Sequence, residues 1–274
     1  MTAIPEPGLR ELYLRGERHA PRVPRWARRV AVIVALIALW QLVSALGWLP
    51  EDTLSSPLQV AGAAVDLISS GDLGEAMATS LTRVATGLAL GIPAGLLLAL
   101  TSGLFRAGED LVDSPMQMLR TLPFLGITPL FILWFGVGDT PKIALVFLGV
   151  CFPVYINTFV GIRNVDAKLV EAARTFDRGR CRLTRSVIIP GALPNILVGV
   201  RLALGTAWLA LVVGEQINAD GGIGYLMLNA QNNLETDKIV VCLVIYALLG
   251  LLSDLIVRGL ERLLLSWRQN FAGA

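Results

Sequence analysis

The sequence predicts an all-α polytopic membrane protein with about six transmembrane helices. Three observations carry that expectation. Hydrophobic residues make up 54% of the chain and charged residues only 16%, where a soluble domain carries about 25% charged residues. The apolar residues fall in runs of roughly 20, the length of helix that crosses a bilayer. The short alternating segments of a membrane β-barrel are missing.

Residues 1–29 read as an Arg-rich arm, with a short helix expected near 8–18. Seven arginines (Arg10, Arg15, Arg18, Arg22, Arg25, Arg28 and Arg29) precede the first apolar run. A nucleic-acid or anionic-lipid arm is one reading; a topology signal is the simpler one. A cleaved signal peptide is not expected. Val43-Ser44-Ala45 resembles a cleavage site, but the basic region before it is too long, and so is the apolar run.

Spans are expected at about 30–49, 77–104, 117–135, 141–161, 194–214 and 237–258. The second carries Gly87, Gly91, Pro93 and Gly95. Small residues let helices approach closely in lipid, where burial no longer drives packing, and Pro93 should kink this helix. Between the first two spans, 57–69 has helical periodicity and is read as lying along the membrane surface.

Loop charge sets the orientation. Segment 50–76 has five acidic residues and no Lys or Arg, and 215–236 is likewise acidic. Loop 162–190 holds Arg163, Lys168, Arg174, Arg178, Arg180, Arg182 and Arg185, and Arg258, Arg262 and Arg268 follow near the C-terminus. Positive residues mark the cytoplasmic side, so both termini and loop 162–190 are expected inside.

No chemistry of its own is visible. A phosphate loop of the form GxxxxGK[ST] is absent, and so are HExxH, GxSxG and CxxC. Cys151, Cys181 and Cys242 show no metal spacing, and the only histidine, His19, sits in the arm. Gly221-Gly222-Ile223-Gly224 lacks the Lys of a phosphate loop and reads as a turn near the mouth of a pore. Paired intramembrane carboxylates of the kind used by proton-coupled carriers are missing too. The chain is therefore expected not to be an enzyme, to hold no metal or cofactor, and to draw its energy from elsewhere.

One polar, basic run between two apolar segments suggests the route. It reads Glu171-Ala172-Ala173-Arg174-Thr175-Phe176-Asp177 and closes at Val187-Ile188-Ile189-Pro190. Glu171 to Arg174 favour helix, Asp166 is placed to cap it, and Pro190 marks a break before the next span. A short stiff helix there would let a partner hold the Ala face while Glu171 and the arginines fix register. An ordinary basic loop is the plainer alternative.

This run resembles the EAA loop of bacterial ABC-importer permeases: E-A-A, three residues, Gly, nine residues, I-x-L-P. Val187 and Ile189 are conservative replacements. Asp177 stands where the family has Gly, and Asp tolerates a left-handed turn better than most residues. From about 30 to 267 the chain is similar to permeases of the nitrate, taurine and alkanesulfonate group, most of all to the aliphatic sulfonate permease. The stretches Ile132-Leu133-Trp134-Phe135-Gly136, Phe152-Pro153-Val154-Tyr155-Ile156-Asn157-Thr158, Gly161-Ile162-Arg163-Asn164 and Gly222-Ile223-Gly224-Tyr225-Leu226 carry that likeness.

The resemblance implies a type I (MetI-like) permease of the bacterial inner membrane. Its domain would run over 30–267, with a coupling loop at 162–190 and a short tail at 268–274. It further implies a second permease copy, two cytoplasmic ATPases that bind the ATP and magnesium, and an extracytoplasmic binding protein. Glu171, Ala172, Ala173, Arg174, Asp177 and Pro190 are the expected coupling residues.

Candidates for the pathway are Arg83, Gln117, Asn157 and Arg201, since intramembrane arginines are rare. Each has a plainer reading: snorkelling for Arg83, and interhelical hydrogen bonds for the others. Glu215 and Asn218, placed just past the fifth span, are candidates for contact with the binding protein.

Overall fold

The computed structural model describes residues 25–50, 53–119, 121–175 and 179–265. The helix expected near 8–18, Asp177 and the tail 268–274 lie outside them. The main helices are α1 (Arg25–Ala45), α2 (Pro57–Ser69), α3 (Asp72–Leu104), α4 (Ser114–Leu119), α5 (Phe124–Phe135), α6 (Asp139–Arg163), α7 (Ala167–Thr175), α8 (Ile189–Asn218), α9 (Ile223–Asn232) and α10 (Thr236–Leu264). No strand occurs among the described residues. Four helical runs there are long and apolar enough to cross a membrane: Asp72–Leu104, Asp139–Arg163, Cys181–Ile217 and Thr236–Leu264.

The core is a three-helix layer with α6 in the middle. Glycines on α3 bring it close to α6. A Cβ built on Gly87 would lie 2.3 Å from Val146 Cγ1, one on Gly91 2.8 Å from Val150, and one on Gly95 2.7 Å from the Cys151 carbonyl. The other side of α6 meets α8 in the same way, through Gly161 against Asn195 and through Gly199 against Asn157 and the Pro153 carbonyl. Val146, Val150 and Val154 are thereby fully buried between the two neighbours. In lipid this gain is dispersion from close backbone approach.

These pairings also fix direction. Contacts rise together along α3 and α6 (87 with 146, 103 with 162), so the two are parallel. They run oppositely along α6 and α8 (161 with 195, 145 with 214). Trp208 Nε1 donates to Ser253 Oγ at 3.1 Å and Arg201 to Glu261 at 2.6 Å, which sets α10 antiparallel to α8. One end of the bundle therefore gathers the starts of α3, α6 and α10 with the end of α8. The other gathers Leu104, Arg163 and the start of α8.

Several expected boundaries move. The span expected at 117–135 is broken into α4 and α5. Pro123 has no N–H to donate and sits extended (φ −72°, ψ 134°) as the cap of α5, and the residue before a proline is pushed out of the helical region. The first helix already includes Arg25, ahead of the expected start at 30, because Arg is a good helix former and the basic flank continues the turn. Pro190 does not break the chain. It lies in the first turn of α8, where a missing N–H costs little, and the π-helical stretch Thr184–Ile188 leads straight into that turn. Likewise α3 runs on through Pro93.

The expected surface helix is present as α2. Ser56 caps it, with the Gln59 side chain reaching back to the Ser56 N–H at 2.7 Å. Its contact with α1 includes the Leu58 N–H donating to the Gln41 side chain at 3.3 Å. Elsewhere α1 exposes apolar side chains all round, Val32, Ile33, Val34 and Leu42 among them.

Candidate functional site

Two polar constructions stand at opposite ends of the bundle. The first is a buried charge knot where α3, α6 and α8 meet. Arg83 is 5% exposed and Glu215 is fully buried. Arg83 Nη1 donates to Glu215 Oε1 at 2.7 Å and to the Gly221 carbonyl at 2.6 Å. Its Nε and Nη2 both reach Asp139 Oδ1, at 2.8 and 2.6 Å. The Glu215 carboxylate also accepts from Ser80 Oγ at 2.8 Å, the Gly224 N–H at 2.8 Å and Tyr246 Oη at 3.4 Å. Ser80 Oγ in turn accepts the Ile223 N–H at 2.9 Å. A buried ion pair holds only if its remaining hydrogen-bonding capacity is met, and here it is met from four helices and a turn.

Glycine makes room for the knot. Gly222 has φ +110°, and a Cβ there would lie 2.3 Å from Glu215 Oε1; one on Gly224 would lie 2.7 Å from Glu215 Cβ. The turn expected at Gly221-Gly222-Ile223-Gly224 is thus a cradle for a carboxylate.

This placement revises two expectations. Arg83 does not snorkel; it is buried and paired. Glu215 is not a surface contact, because α8 continues past it to Asn218 and turns its side chain inward. The pair itself was missed. Its signal was one carboxylate in an otherwise apolar helical run and one arginine in another, which an ion pair explains together.

The second construction is the segment between α6 and α8. The expected short helix is present as α7. Asp166 caps it, accepting the Lys168 N–H at 2.9 Å. Glu171, Ala172 and Arg174 are exposed, and Ala173 is half-buried. Leu169 lies one turn before Ala172 with 59% of its surface exposed.

Both stems of this segment are clamped. A Cβ on Gly161 would come within 2.8 Å of Asn195, and one on Gly191 within 3.1 Å of Val165. Just above, Arg163 pairs with Glu109 and stacks on Phe159, and Tyr155 Oη donates to Asp113 Oδ1 at 3.0 Å. Movement of α7 is thereby tied to α6, α8 and the stretch ahead of α4.

The remaining candidates are scattered. Gln117 is exposed on α4. Asn157 donates back to the Pro153 carbonyl at 2.8 Å. Arg201 is half-exposed and pairs with Glu261 at 2.6 Å and Asp254 at 3.3 Å. Asn157 and Arg201 thus bond other residues and not each other. Among the described residues no group of three or more His, Cys, Asp or Glu is placed to hold a metal ion.

Comparison with known proteins agrees with this architecture. The chain is 49% identical over 255 residues to a protein of Escherichia coli (strain K12) provisionally named aliphatic sulfonates transport permease protein SsuC, covering 92% of this chain and 97% of that one. It is 43% identical to the protein with the same provisional name in Bacillus subtilis (strain 168), covering 90% of each. Among solved structures, an amino acid ABC transporter crystallised with histidines aligns with a TM-score of 0.58 at 19% identity, covering 73% of this chain and 97% of that one, which shows a shared fold. The family model described as "Binding-protein-dependent transport system inner membrane component" matches residues 91–266, and the chain belongs to that family.

Proposed function

We propose that the chain forms the transmembrane pathway of an ATP-driven importer for aliphatic sulfonates, working as one of two identical copies. Two cytoplasmic ATPases would bind the ATP and magnesium and grip α7, and an extracytoplasmic binding protein would deliver the solute. The observation that carries this reading is α7 itself, a capped helix with Glu171, Ala172 and Arg174 exposed and both stems clamped. Such a helix acts as a lever: a partner's displacement passes into α6 and α8 instead of being lost in a loose loop. The cargo is drawn from the two sulfonate-named relatives, each matched over nearly its whole length.

Six crossings fit the packing. Because α3 and α6 are parallel, the chain between them must return across the bilayer once, and α4 with α5 is the segment available. α1 has 21 residues, about 31 Å of helix, enough for a hydrocarbon core of about 30 Å. Charge supports an inward-facing α7. Arg163, Lys168, Arg174, Arg182 and Arg185 lie at that end, while Asp66, Asp72, Glu75, Asp139 and Asp220 lie at the other. By the positive-inside rule both termini then face the cytoplasm.

The test is Glu171→Lys in cells grown on an alkanesulfonate as sole sulfur source. Uptake should be lost while the protein still inserts in the membrane; normal growth would sink the coupling role. Stimulation of ATP hydrolysis in the reconstituted complex by alkanesulfonate, taurine or nitrate decides the cargo.

A further inference from the structure

We infer that Arg83 is an oxyanion receptor held shut by Asp139, and that the sulfonate group of an incoming solute takes the place of the Asp139 carboxylate. This rests on the import reading above and adds the atoms that recognise the charged head of the cargo.

The guanidinium has two unlike sides. Nη1 is committed inward, to the fully buried Glu215 and the Gly221 carbonyl. The Nε–Nη2 edge is the planar fork that matches carboxylates and related oxyanions in two parallel bonds. Here both nitrogens converge on a single oxygen, Asp139 Oδ1. Asp139 has a 60% exposed side chain, so it returns to water at little desolvation cost. A sulfonate has three oxygens and can give each nitrogen its own. The exchange is neutral in charge, one anion leaving as another arrives.

A second cation stands one turn along α6. Lys142 is 2% exposed, and its ammonium, with three protons to donate, bonds the Gly138 carbonyl at 2.7 Å. It packs beside Gly214, the neighbour of Glu215. Once Asp139 swings away, two buried cations face one buried carboxylate, with the exposed Asp220 the other acidic group acting on Lys142. A buried excess of positive charge draws an anion strongly, and Asp139 is the carboxylate bonded to it at rest. The same end of the bundle carries exposed Asp66, Asp72, Glu75 and Asp220, which repel a free anion. The receptor is therefore suited to a solute handed over at close range.

The experiment is direct binding of hexanesulfonate to the full chain purified in detergent, followed by calorimetry, with hexanol as the uncharged control. Asp139→Asn removes the competing carboxylate and should tighten hexanesulfonate binding by about fivefold or more, with hexanol unchanged. Adding Lys142→Met to Asp139→Asn should abolish that gain. No tightening, no binding by either protein, or equal tightening for hexanol would each overturn the receptor. Because the readout is binding and not transport, a chain that tightens on sulfonate yet imports none would sink the cargo reading and leave the receptor standing.

Discussion

Arg83 and Glu215 stand 132 residues apart in the chain and form a 2.7 Å ion pair in the buried end of the bundle. The pair joins α3 to α8 across the tip of α6, and Asp139 joins α6 to the same guanidinium. Arg83 keeps Asp139 if Glu215 is removed, whereas removing Arg83 leaves the fully buried Glu215 without its bonded counter-charge, which costs about 3–5 kcal/mol. Arg83→Met should therefore lower the thermal unfolding midpoint in detergent sharply. Adding Glu215→Leu to Arg83→Met should recover most of the loss. A single variant as stable as the parent would show that the charges are solvated and not locked together.

Gly222 tests the same knot from the backbone. Its φ of +110° disfavours any side chain, and the space a methyl would need belongs to Glu215 Oε1. Gly222→Ala should destabilise by more than about 1–3 kcal/mol, since backbone strain adds to overpacking. Gly221→Ala, where nothing lies within 4 Å of the new Cβ, should be nearly silent. Equal effects of the two changes on the unfolding midpoint would mean that the turn relaxes freely.

Composition and loop charge made the helical class and the short helix α7 legible, because hydropathy, helix propensity and the Asp166 cap are local properties. The glycine row of α3 was legible for the same reason: Gly87, Gly91 and Gly95 share one helix face by spacing alone. What could not be read was which face meets which. Arg83 and Glu215 each looked exceptional alone, and only the antiparallel placement of α8 puts one carboxylate beside one guanidinium. The break between α4 and α5 was hidden by apolar residues on both sides of Pro123, and hydropathy averages over a single lost N–H. Pro190 misled in the opposite sense, because a proline in a first turn starts a helix as readily as it ends one.

The α3–α6 contact predicts a size threshold. A methyl on Gly91 would meet Val150 Cβ and Cγ1 at 2.8 Å in a fully buried site. Gly91→Ala should cost about 1–3 kcal/mol by overpacking, more than the helix propensity it gains. Val150→Ala in the same chain should restore much of that stability. Gly74→Ala on the same helix, facing open space, should be neutral or slightly stabilising by up to about 1 kcal/mol. Thermal unfolding of the four proteins in one detergent ranks them, and a harmless Gly91→Ala would refute the close approach.

Leu169 separates a docking surface from a folding contact. It is 59% exposed one turn ahead of Ala172, and no described residue of α7 is fully buried. A partner that seats α7 in an apolar groove would bury Leu169, which is worth about 1.5–3 kcal/mol for a side chain of this size. Leu169→Asp should then weaken association with the ATPase by at least about tenfold, one factor of ten per 1.4 kcal/mol, and leave the unfolding midpoint of the isolated chain in place. Copurification from membranes measures the first and a thermal scan the second. Association that survived the charge would count against α7 as the docking helix.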